Sequence, residues 1–226
     1  MMKQFIITKK INLTPDVFEI HYKSNEEFEI KPGQFITFIL PKIGGRAYSI
    51  LEQNGDKTIL IIKRVKENNG GRGGSIFLCD AEVGKTFNGV GPAGHFILKE
   101  EDNNKLFIGT GTGLVPLYNQ IIAGLERGDK SDYTLLFGIR TKQDIFYKEN
   151  FEKISEKYSN FKYNIYLSRE EVEGTNKGYV TDFLTKQNLE KTNEIYICGA
   201  PAMVDSSIKK LEDSSIIKEN IYFEKY

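Results

Sequence analysis

The sequence predicts a two-domain protein in which an antiparallel β-barrel is followed by an α/β domain with a parallel sheet. In residues 1–100, short runs rich in Ile, Phe and Val alternate with turn signals such as Pro32-Gly33 and Asn54-Gly55. After the polar stretch 99–105 (KEEDNNK), strands alternate with helices. A polar stretch at such a change of rhythm is typical of a domain boundary, so we expect domains at 1–100 and 101–226.

The barrel strands are predicted from apolar residues that alternate or run continuously over a strand's length. They are FIITKKINL, VFEIHYK, QFITFIL, TILIIKRV and the segment that ends in HFIL. Further turn signals at Gly44-Gly45 and Gly91-Pro92 separate the later segments. Short strands at this spacing indicate a small antiparallel barrel.

The second half of the chain reads as repeated β-α units. Its predicted strands are LFIGTG, YTLLFGI, KYNIYLS and EIYICGA, and its predicted helices are LVPLYNQIIAGLERG, FYKENFEKISEKY, VTDFLTKQ and AMVDSSIKKLED. Repeated β-α-β connections imply a parallel sheet covered by helices.

Composition excludes some classes of function. Lys+Arg and Asp+Glu both number 31, so the formal net charge is zero and no overall field favours nucleic acid. We see neither a signal peptide nor an apolar run of membrane-spanning length, so we expect a cytoplasmic protein without membrane insertion. The only cysteines, Cys79 and Cys198, cannot hold an iron–sulfur cluster by themselves, and we expect no metal site.

A glycine-rich turn lies at the start of the α/β half. Gly109, Thr110, Gly111, Thr112 and Gly113 follow an apolar strand and precede a helix. Glycines let the backbone approach a pyrophosphate, and a helix N-terminus offers free N–H groups to it. The spacing departs from G-x-G-x-x-G, so the turn alone is equally compatible with a site that binds no ligand.

Two segments of the first half are candidate ligand-binding elements. Arg46, Tyr48 and Ser49 follow one another at the predicted end of a strand, where an arginine could pair with a phosphate and an aromatic ring could lie on a flat cofactor. The segment 70–75 (GGRGGS) surrounds an arginine with glycines before a predicted helix. An ordinary strand and a flexible loop with a helix cap are the alternative interpretations.

Taken together and in order, these motifs resemble the plant-type ferredoxin–NADP⁺ reductase family over nearly the whole chain. The resemblance is carried by R-A-Y-S at 46–49, I-K-R-V at 62–65, G-G-S before F-L-C-D at 73–80, G-P-A-G at 91–94, G-T-G-T-G-L-V-P at 109–116 and C-G-A-P-A-M at 198–203. It implies a flavin-binding barrel and an NAD(P)-binding α/β domain.

The resemblance implies a role for each flavin-site residue. Arg46 holds the flavin phosphate, Tyr48 stacks on the isoalloxazine ring, and Ser49 reaches its reactive N5 edge. Ser75 caps the helix that faces the pyrophosphate. The tail of the cofactor is lined by Ile62, Lys63, Gly73 and Gly74. The family resemblance favours FAD as the cofactor. FMN stays open as the alternative, because the GRGGS loop is more similar to that of FMN-containing dioxygenase reductases.

For the nicotinamide nucleotide, the resemblance assigns the pyrophosphate to the loop 109–113 and the nicotinamide ring to Cys198. Ser168 and Arg169, with Lys177, hold a 2′-phosphate, and Tyr179 lies on the adenine. NADPH is therefore expected over NADH, although similar segments also occur in NADH-using relatives.

The same resemblance gives the end of the sequence a role. Tyr226 is expected to cover the flavin face opposite Tyr48, where the nicotinamide must bind, and Glu224 is expected near Ser49 and the nicotinamide. The expected catalytic residues are thus Ser49, Cys198, Glu224 and Tyr226.

The implied activity is hydride exchange with NADP(H) and single-electron exchange with a ferredoxin- or flavodoxin-type carrier. Two alternatives stay open. One is a flavin reductase that releases reduced flavin, although such enzymes often have Phe at the position of Tyr48. The other is an electron-transfer subunit of a larger complex, although relatives of that kind carry a cysteine cluster that this sequence lacks.

Overall fold

The chain is described from a computed structural model that covers residues 2–66, 68, 70–214 and 216–226. It divides into two compact units, one ending at Leu98 and the other beginning at Lys99. The predicted fold class is confirmed, because the first unit is a closed antiparallel barrel and the second contains a six-stranded parallel sheet connected by helices. Within the described ranges, every helix is too short or too polar to cross a membrane.

The barrel unit encloses an aromatic core. Its strands close in the order β1-β2-β5-β4-β3-β6. They are β1 (Met2–Thr14), β2 (Val17–Ser24), β3 (Phe35–Leu40), β4 (Gly44–Asn54), β5 (Lys57–Lys63) and β6 (Thr86–Ala93), and helix α1 (Gly74–Asp80) lies between β5 and β6 along the chain. Inside, the Phe38 ring lies 5.4 Å from that of Phe5 and 5.3 Å from that of Tyr22, all three fully buried. Rings of this size supply much of the apolar area that a small barrel can bury.

Four local predictions for the barrel are wrong. Gly44 and Gly45 begin β4 instead of separating strands, because they pair with Leu40 and Ile39 of β3. The Arg46 tetrapeptide therefore lies within a strand and not at its end. Gly91-Pro92 lies inside β6, and the HFIL segment at 95–98 is not a strand. Its apolar residues reflect burial alone, since Phe96 and Leu98 are 8% and 9% exposed.

The second unit is built around a parallel sheet with strand order β10-β9-β8-β7-β11-β12. Its strands are β7 (Lys105–Thr110), β8 (Tyr133–Ile139), β9 (Phe161–Leu167), β10 (Asn176–Lys177), β11 (Glu194–Gly199) and β12 (Ile221–Lys225). Its helices are α2 (Leu114–Arg127), α3 (Lys148–Lys157), α4 (Lys186–Leu189) and α5 (Pro201–Asp213). The predicted helix VTDFLTKQ is instead a 3₁₀ turn, Val180–Phe183, followed by α4, because the Thr185 side chain caps a new helix by accepting from Asn188 N at 3.3 Å.

The order of the sheet determines where a ligand could bind in this unit. From β7 the chain proceeds to β8 on one side, whereas β11 joins β7 on the other side. In an open parallel sheet, the crevice outside the carboxyl ends of the strands at such a switch point is the usual binding position. The glycine-rich turn follows β7 and therefore lies at this position.

Candidate functional site

In the barrel unit, Arg46 is a guanidinium without an ion-pair partner in the described parts of the chain. Its Nη1 donates to the Gly45 carbonyl at 2.8 Å and its Nη2 to the Arg72 carbonyl at 3.2 Å. Its Nε is buried and has no acceptor among the described residues. A buried donor without an acceptor is costly unless a ligand supplies one. Sequence analysis placed Arg72 in the glycine-rich segment 70–75, but it did not predict that the Arg72 carbonyl would hold the Arg46 guanidinium.

Gly74 lets Arg46, Tyr48 and the start of α1 pack closely together. A Cβ at Gly74 would lie 2.6 Å from Arg46 Cγ and 3.0 Å from the Tyr48 hydroxyl, so no larger residue fits without a shift. Tyr48 is half-buried, with its ring 6.2 Å from the Phe38 ring. Burial, and then the nearby Cys79, hold the pKa of Tyr48 well above its ordinary value, so the phenol stays neutral.

The structure corrects the role predicted for Ser75. Helix α1 begins at Gly74 with Gly73 as its N-cap, and no side chain caps it. Ser75 Oγ instead accepts from Val65 N at 3.0 Å, which joins the glycine loop to the chain that follows β5. The cap residue has a φ of 78°, in the left-handed region, which glycine adopts without steric cost.

The remaining flavin-site candidates lie on neighbouring strands of the barrel. Ser49 is half-buried and pairs with Phe35 of β3. Ile62 is 1% exposed in the core, and the Lys63 ammonium lies 3.2 Å from Asp16 Oδ2. The Ile62 side chain is thus enclosed by the core, and its carbonyl accepts from Cys79 Sγ at 3.8 Å.

In the second unit, the glycine loop is packed so tightly that side chains are excluded. A 3₁₀ turn, Gly111–Gly113, joins β7 to α2. A Cβ on Gly113 would lie 2.2 Å from the Cys198 carbonyl oxygen, and one on Gly109 would lie 2.9 Å from Leu117 Cδ1. The loop, the first turn of α2 and the end of β11 thus converge, with Thr110 Oγ1 accepting from Ala200 N at 3.4 Å.

Cys198 and Glu224 lie side by side at the same end of the sheet. Cys198 pairs in register with Gly109 of β7 and with Glu224 of β12. Burial, and then the Glu224 carboxyl, hold the pKa of the Cys198 thiol far above its ordinary value. Burial also raises the pKa of Glu224, whose Oε2 is buried without a hydrogen-bond partner in the part of the chain described. The Cys198 side chain is therefore a neutral, polarizable thiol and not a thiolate nucleophile.

The Tyr226 hydroxyl lies directly on the glycine loop. It donates to the Thr110 carbonyl at 2.6 Å and accepts from Gly113 N at 3.0 Å. Although the residue as a whole is 60% exposed, enclosure of its hydroxyl end raises the pKa of Tyr226 to about 12. The sequence predicted a flavin-covering role for this tyrosine, and that role stays a prediction. The contact with the loop could not have been foreseen from spacing.

The four residues predicted to bind a 2′-phosphate and adenine come together beyond β8, β9 and β10. Ser168 N donates to the Ile139 carbonyl at 3.0 Å, and Lys177 is in register with Leu167 of β9. Arg169 and Tyr179 are exposed beside them, and Tyr179 N donates to Asp182 Oδ2 at 2.7 Å. Ser168 and Arg169 follow the carboxyl end of β9, and Lys177 and Tyr179 lie at or after the end of β10. Their position agrees with the predicted order of strands and helices.

Sequence reasoning missed Arg140 and Lys142, which belong to the same group. Arg169 N donates to the Arg140 carbonyl at 3.0 Å, and Lys142 N donates to Glu170 Oε2 at 2.7 Å. Their position directly after the predicted strand YTLLFGI was a signal that could have found them, because adjacent parallel strands end at the same edge.

The chain resembles known reductases over its full length. It is 28% identical to the reductase component DmpP of phenol 2-monooxygenase from Pseudomonas sp. (strain CF600), over 98% of this chain and 64% of that protein. Among solved structures, the Amycolatopsis cytochrome P450 reductase GcoB has a TM-score of 0.89 and 24% identity, over 100% of this chain and 69% of that one. The flavohem-like FAD/NAD-binding domain of nitric oxide dioxygenase from Vibrio cholerae has a TM-score of 0.87 and 20% identity, over 99% and 98%.

The barrel followed by the parallel sheet with its glycine loop is the two-domain fold of these solved structures. Residues 107–209 match the oxidoreductase NAD-binding domain family, which covers the sheet from β7 to α5. The chain spans only 58–64% of the length of the first four curated relatives that it matches.

Proposed function

We propose that the chain is a flavin-dependent NAD(P)H oxidoreductase of the plant-type ferredoxin–NADP⁺ reductase branch. It would exchange a hydride with NADP(H) and single electrons with a ferredoxin- or flavodoxin-type carrier. The observation that carries the proposal is Arg46, a guanidinium that no carboxylate pairs in the described residues and whose buried Nε lacks an acceptor. Such a group needs an anion, and a flavin phosphate supplies one.

The barrel residues fit a flavin in both charge and shape. Arg46 would hold the phosphate, the neutral Tyr48 ring would lie on the isoalloxazine, and the Ser49 hydroxyl would donate to its N5 edge. Gly74 allows Arg46 and Tyr48 to pack closely against the start of α1, because a Cβ there would collide with both side chains. FAD is favoured over FMN, since the nitric oxide dioxygenase domain that this chain matches over 98% of its length is described as FAD/NAD-binding.

The second unit fits a nicotinamide nucleotide. The Gly113 N–H, at the start of a helix of 14 residues, would donate to the pyrophosphate in place of the donation that it now makes to Tyr226. Cys198 would lie beside the nicotinamide without carrying charge, and the unpartnered Glu224 Oε2 would accept from the carboxamide. The Tyr226 hydroxyl has to leave the loop before a phosphate oxygen takes its place.

A bound flavin supplies the redox chemistry, because it takes two electrons from a nicotinamide and releases them one at a time. The protein supplies position and electrostatics. Arg46 and the glycine loop anchor the two ligands by their phosphates, and the neutral Tyr48 and Cys198 side chains provide apolar, polarizable surfaces for the rings. No basic histidine and no metal is needed for this sequence of events.

The proposed electron acceptor is a separate or attached one-electron carrier. The relative from Pseudomonas is itself described as a reductase component, which implies delivery of electrons to another component of its system. A flavin reductase that releases its flavin is the second candidate. Retention of flavin distinguishes the two, and the unpaired Arg46 favours retention.

The test measures flavin and nucleotide use by the purified protein. We expect a yellow protein that keeps its flavin through gel filtration, that releases FAD on denaturation as identified by mass, and that reduces ferricyanide with NADPH. Arg46→Ala should raise the flavin Kd about 10- to 100-fold, since a hydrogen bond to a charged group contributes about 1.5–3 kcal/mol. Lys85→Ala removes an exposed positive charge from the same unit and should change the Kd little.

The outcomes separate the alternatives. A protein that takes up neither FAD nor FMN would sink the proposal. Flavin that elutes freely in gel filtration, while turnover with added flavin is fast, would favour the flavin reductase. Arg46→Lys keeps the charge but loses the forked donor geometry, so an intermediate Kd is expected if the guanidinium binds a phosphate.

A further inference from the structure

The cations predicted to hold a 2′-phosphate are followed closely by carboxylates. Arg169 precedes Glu170 and Glu171, and Lys177 lies across from Leu167 on the neighbouring strand. The backbone bonds from Ser168 N to Ile139 O and from Gly178 N to Leu167 O, at 3.0 Å and 2.9 Å, fix the segments that carry them. The charges of this group are therefore held near one another by the sheet.

Each of the two carboxylates already has a partner. Glu170 Oε2 accepts from Lys142 N at 2.7 Å, so this carboxylate ties the segment after β9 to the segment after β8. Glu171 Oε2 lies 3.3 Å from the Lys177 ammonium. Glu170 therefore binds the backbone N–H of Lys142. Glu171 instead forms an ion pair with the Lys177 ammonium, which a 2′-phosphate would need.

The Lys177–Glu171 pair has the weak energetics of an exposed pair. The two side chains are 67% and 78% exposed. Pairs of this kind contribute about 0.2–1 kcal/mol and are screened by salt. An incoming phosphomonoester can displace the carboxylate, but it loses part of the attraction and meets the displaced negative charge nearby.

We propose that Glu171 is a specificity-determining residue that weakens the preference for 2′-phosphorylated nucleotides by competing for Lys177. The inference rests on the proposed function, since it concerns the same nucleotide site. A nucleotide with a free 2′-hydroxyl does not need the Lys177 ammonium and is unaffected by the competition. The protein consequently accepts NADH alongside NADPH.

The experiment measures binding of two probes without a nicotinamide, 2′,5′-ADP and 5′-ADP, by titration calorimetry on the full chain. Glu171→Gln should lower the Kd of 2′,5′-ADP about two- to fivefold and leave that of 5′-ADP unchanged. Glu173→Gln is the matched control, because it removes the same charge from an exposed residue nearby. Raising the salt concentration should shrink the Glu171→Gln effect.

A double-mutant cycle tests the mechanism itself. In a Lys177→Gln background, Glu171→Gln should improve 2′,5′-ADP binding no more than Glu173→Gln does. Equal gains from Glu171→Gln and Glu173→Gln in the native background would overturn the proposal, since only overall charge would then matter. A native protein that binds neither probe would instead overturn the proposed function and, with it, this inference.

Discussion

The two ends of the parallel sheet differ in whether their buried charged residues have partners. Where the strands begin, the Lys105 ammonium is fully buried and donates to the Glu101 and Asn103 carbonyls at 2.7 and 2.8 Å and to Asp129 Oδ2 at 3.2 Å. Asp129 also accepts from the Tyr133 hydroxyl at 2.8 Å. Where the strands end, Glu224 Oε2 is buried with no partner among the described residues.

The comparison shows at which end of the sheet the chain itself supplies partners for its buried polar groups. A buried polar network stabilises a fold when its members are paired, whereas an unpaired buried group costs free energy. Both ends belong to the same sheet, so the difference lies in what supplies the partners of the buried groups at each end. At the beginning of the strands the chain supplies the partners. At their end we propose that a nucleotide does.

The largest expected effect comes from breaking the network at the beginning of the strands. Asp129→Asn should lower the free energy of unfolding by about 3–5 kcal/mol, because it leaves the buried Lys105 charge without its closest carboxylate. Asp102→Asn is the control, since the Asp102 side chain is 72% exposed and pairs only loosely with Arg127. Denaturant unfolding followed by circular dichroism measures both. Equal losses would show that the buried network has no special role.

The dependence of stability on pH should have opposite signs at the two ends. Burial alone would raise the pKa of Asp129, but hydrogen bonds from Ser131, Tyr133 and Lys105 lower it to about 2. Its stabilising contribution is therefore present above the unfolded pKa of about 3.9 and is lost as the pH falls towards 2. The pKa of Glu224 is raised by burial, so its contribution is present at low pH and is lost as the pH rises through the folded pKa.

Glu224→Gln should remove that second dependence. The variant should gain stability over the native protein as the pH rises from about 4 to about 8, by no more than the roughly 1–3 kcal/mol that an unpaired buried polar group costs. Glu219→Gln, an exposed substitution shortly before β12, should follow the native curve. If the Glu224→Gln difference stays constant with pH, the carboxyl does not titrate abnormally.

The smallest expected effect is a change in nucleotide binding at the glycine loop. Tyr226→Phe removes only the hydroxyl that accepts from Gly113 N, so ADP-ribose should bind about 2- to 10-fold more tightly. Tyr222→Phe, a neighbouring tyrosine of β12 whose ring stacks on Tyr196, should not change the Kd. ADP-ribose has the pyrophosphate but no nicotinamide, so an unchanged Kd for Tyr226→Phe would mean that the hydroxyl does not compete for the loop.

The sequence predicted the fold well where the pattern is local. The apolar runs of β7, β8 and β11 and the helix ending at Gly128 could be read directly, because burial and periodicity leave a signal within a few residues. The errors came where neighbours in space decide the outcome. Gly44 and Gly45 look like a turn, but pairing with β3 makes them a strand.

The features of the candidate site likewise divide into those that short motifs predicted and those that only the structure shows. The glycine loop and Arg46 were found from sequence because short motifs carry them. The bond of Ser75 to Val65, the hydroxyl of Tyr226 on Gly113 and the pair of Lys177 with Glu171 depend on side-chain positions that spacing does not encode. The Lys105–Asp129 pair likewise joins residues from different elements, and one sequence gives no indication that they meet.

The pairing of the strands also determines the order in which the two units can fold during synthesis. The barrel closes when β6 pairs with β1, so all its strands are available once Ala93 has left the ribosome. In the sheet, β7 pairs with β8 early, but its other edge stays open until β11 is made. An open edge of this kind exposes unpaired backbone groups to other chains. The crevice at the glycine loop is thus a late product of translation, and the other edge of β11 then stays open until β12 is made.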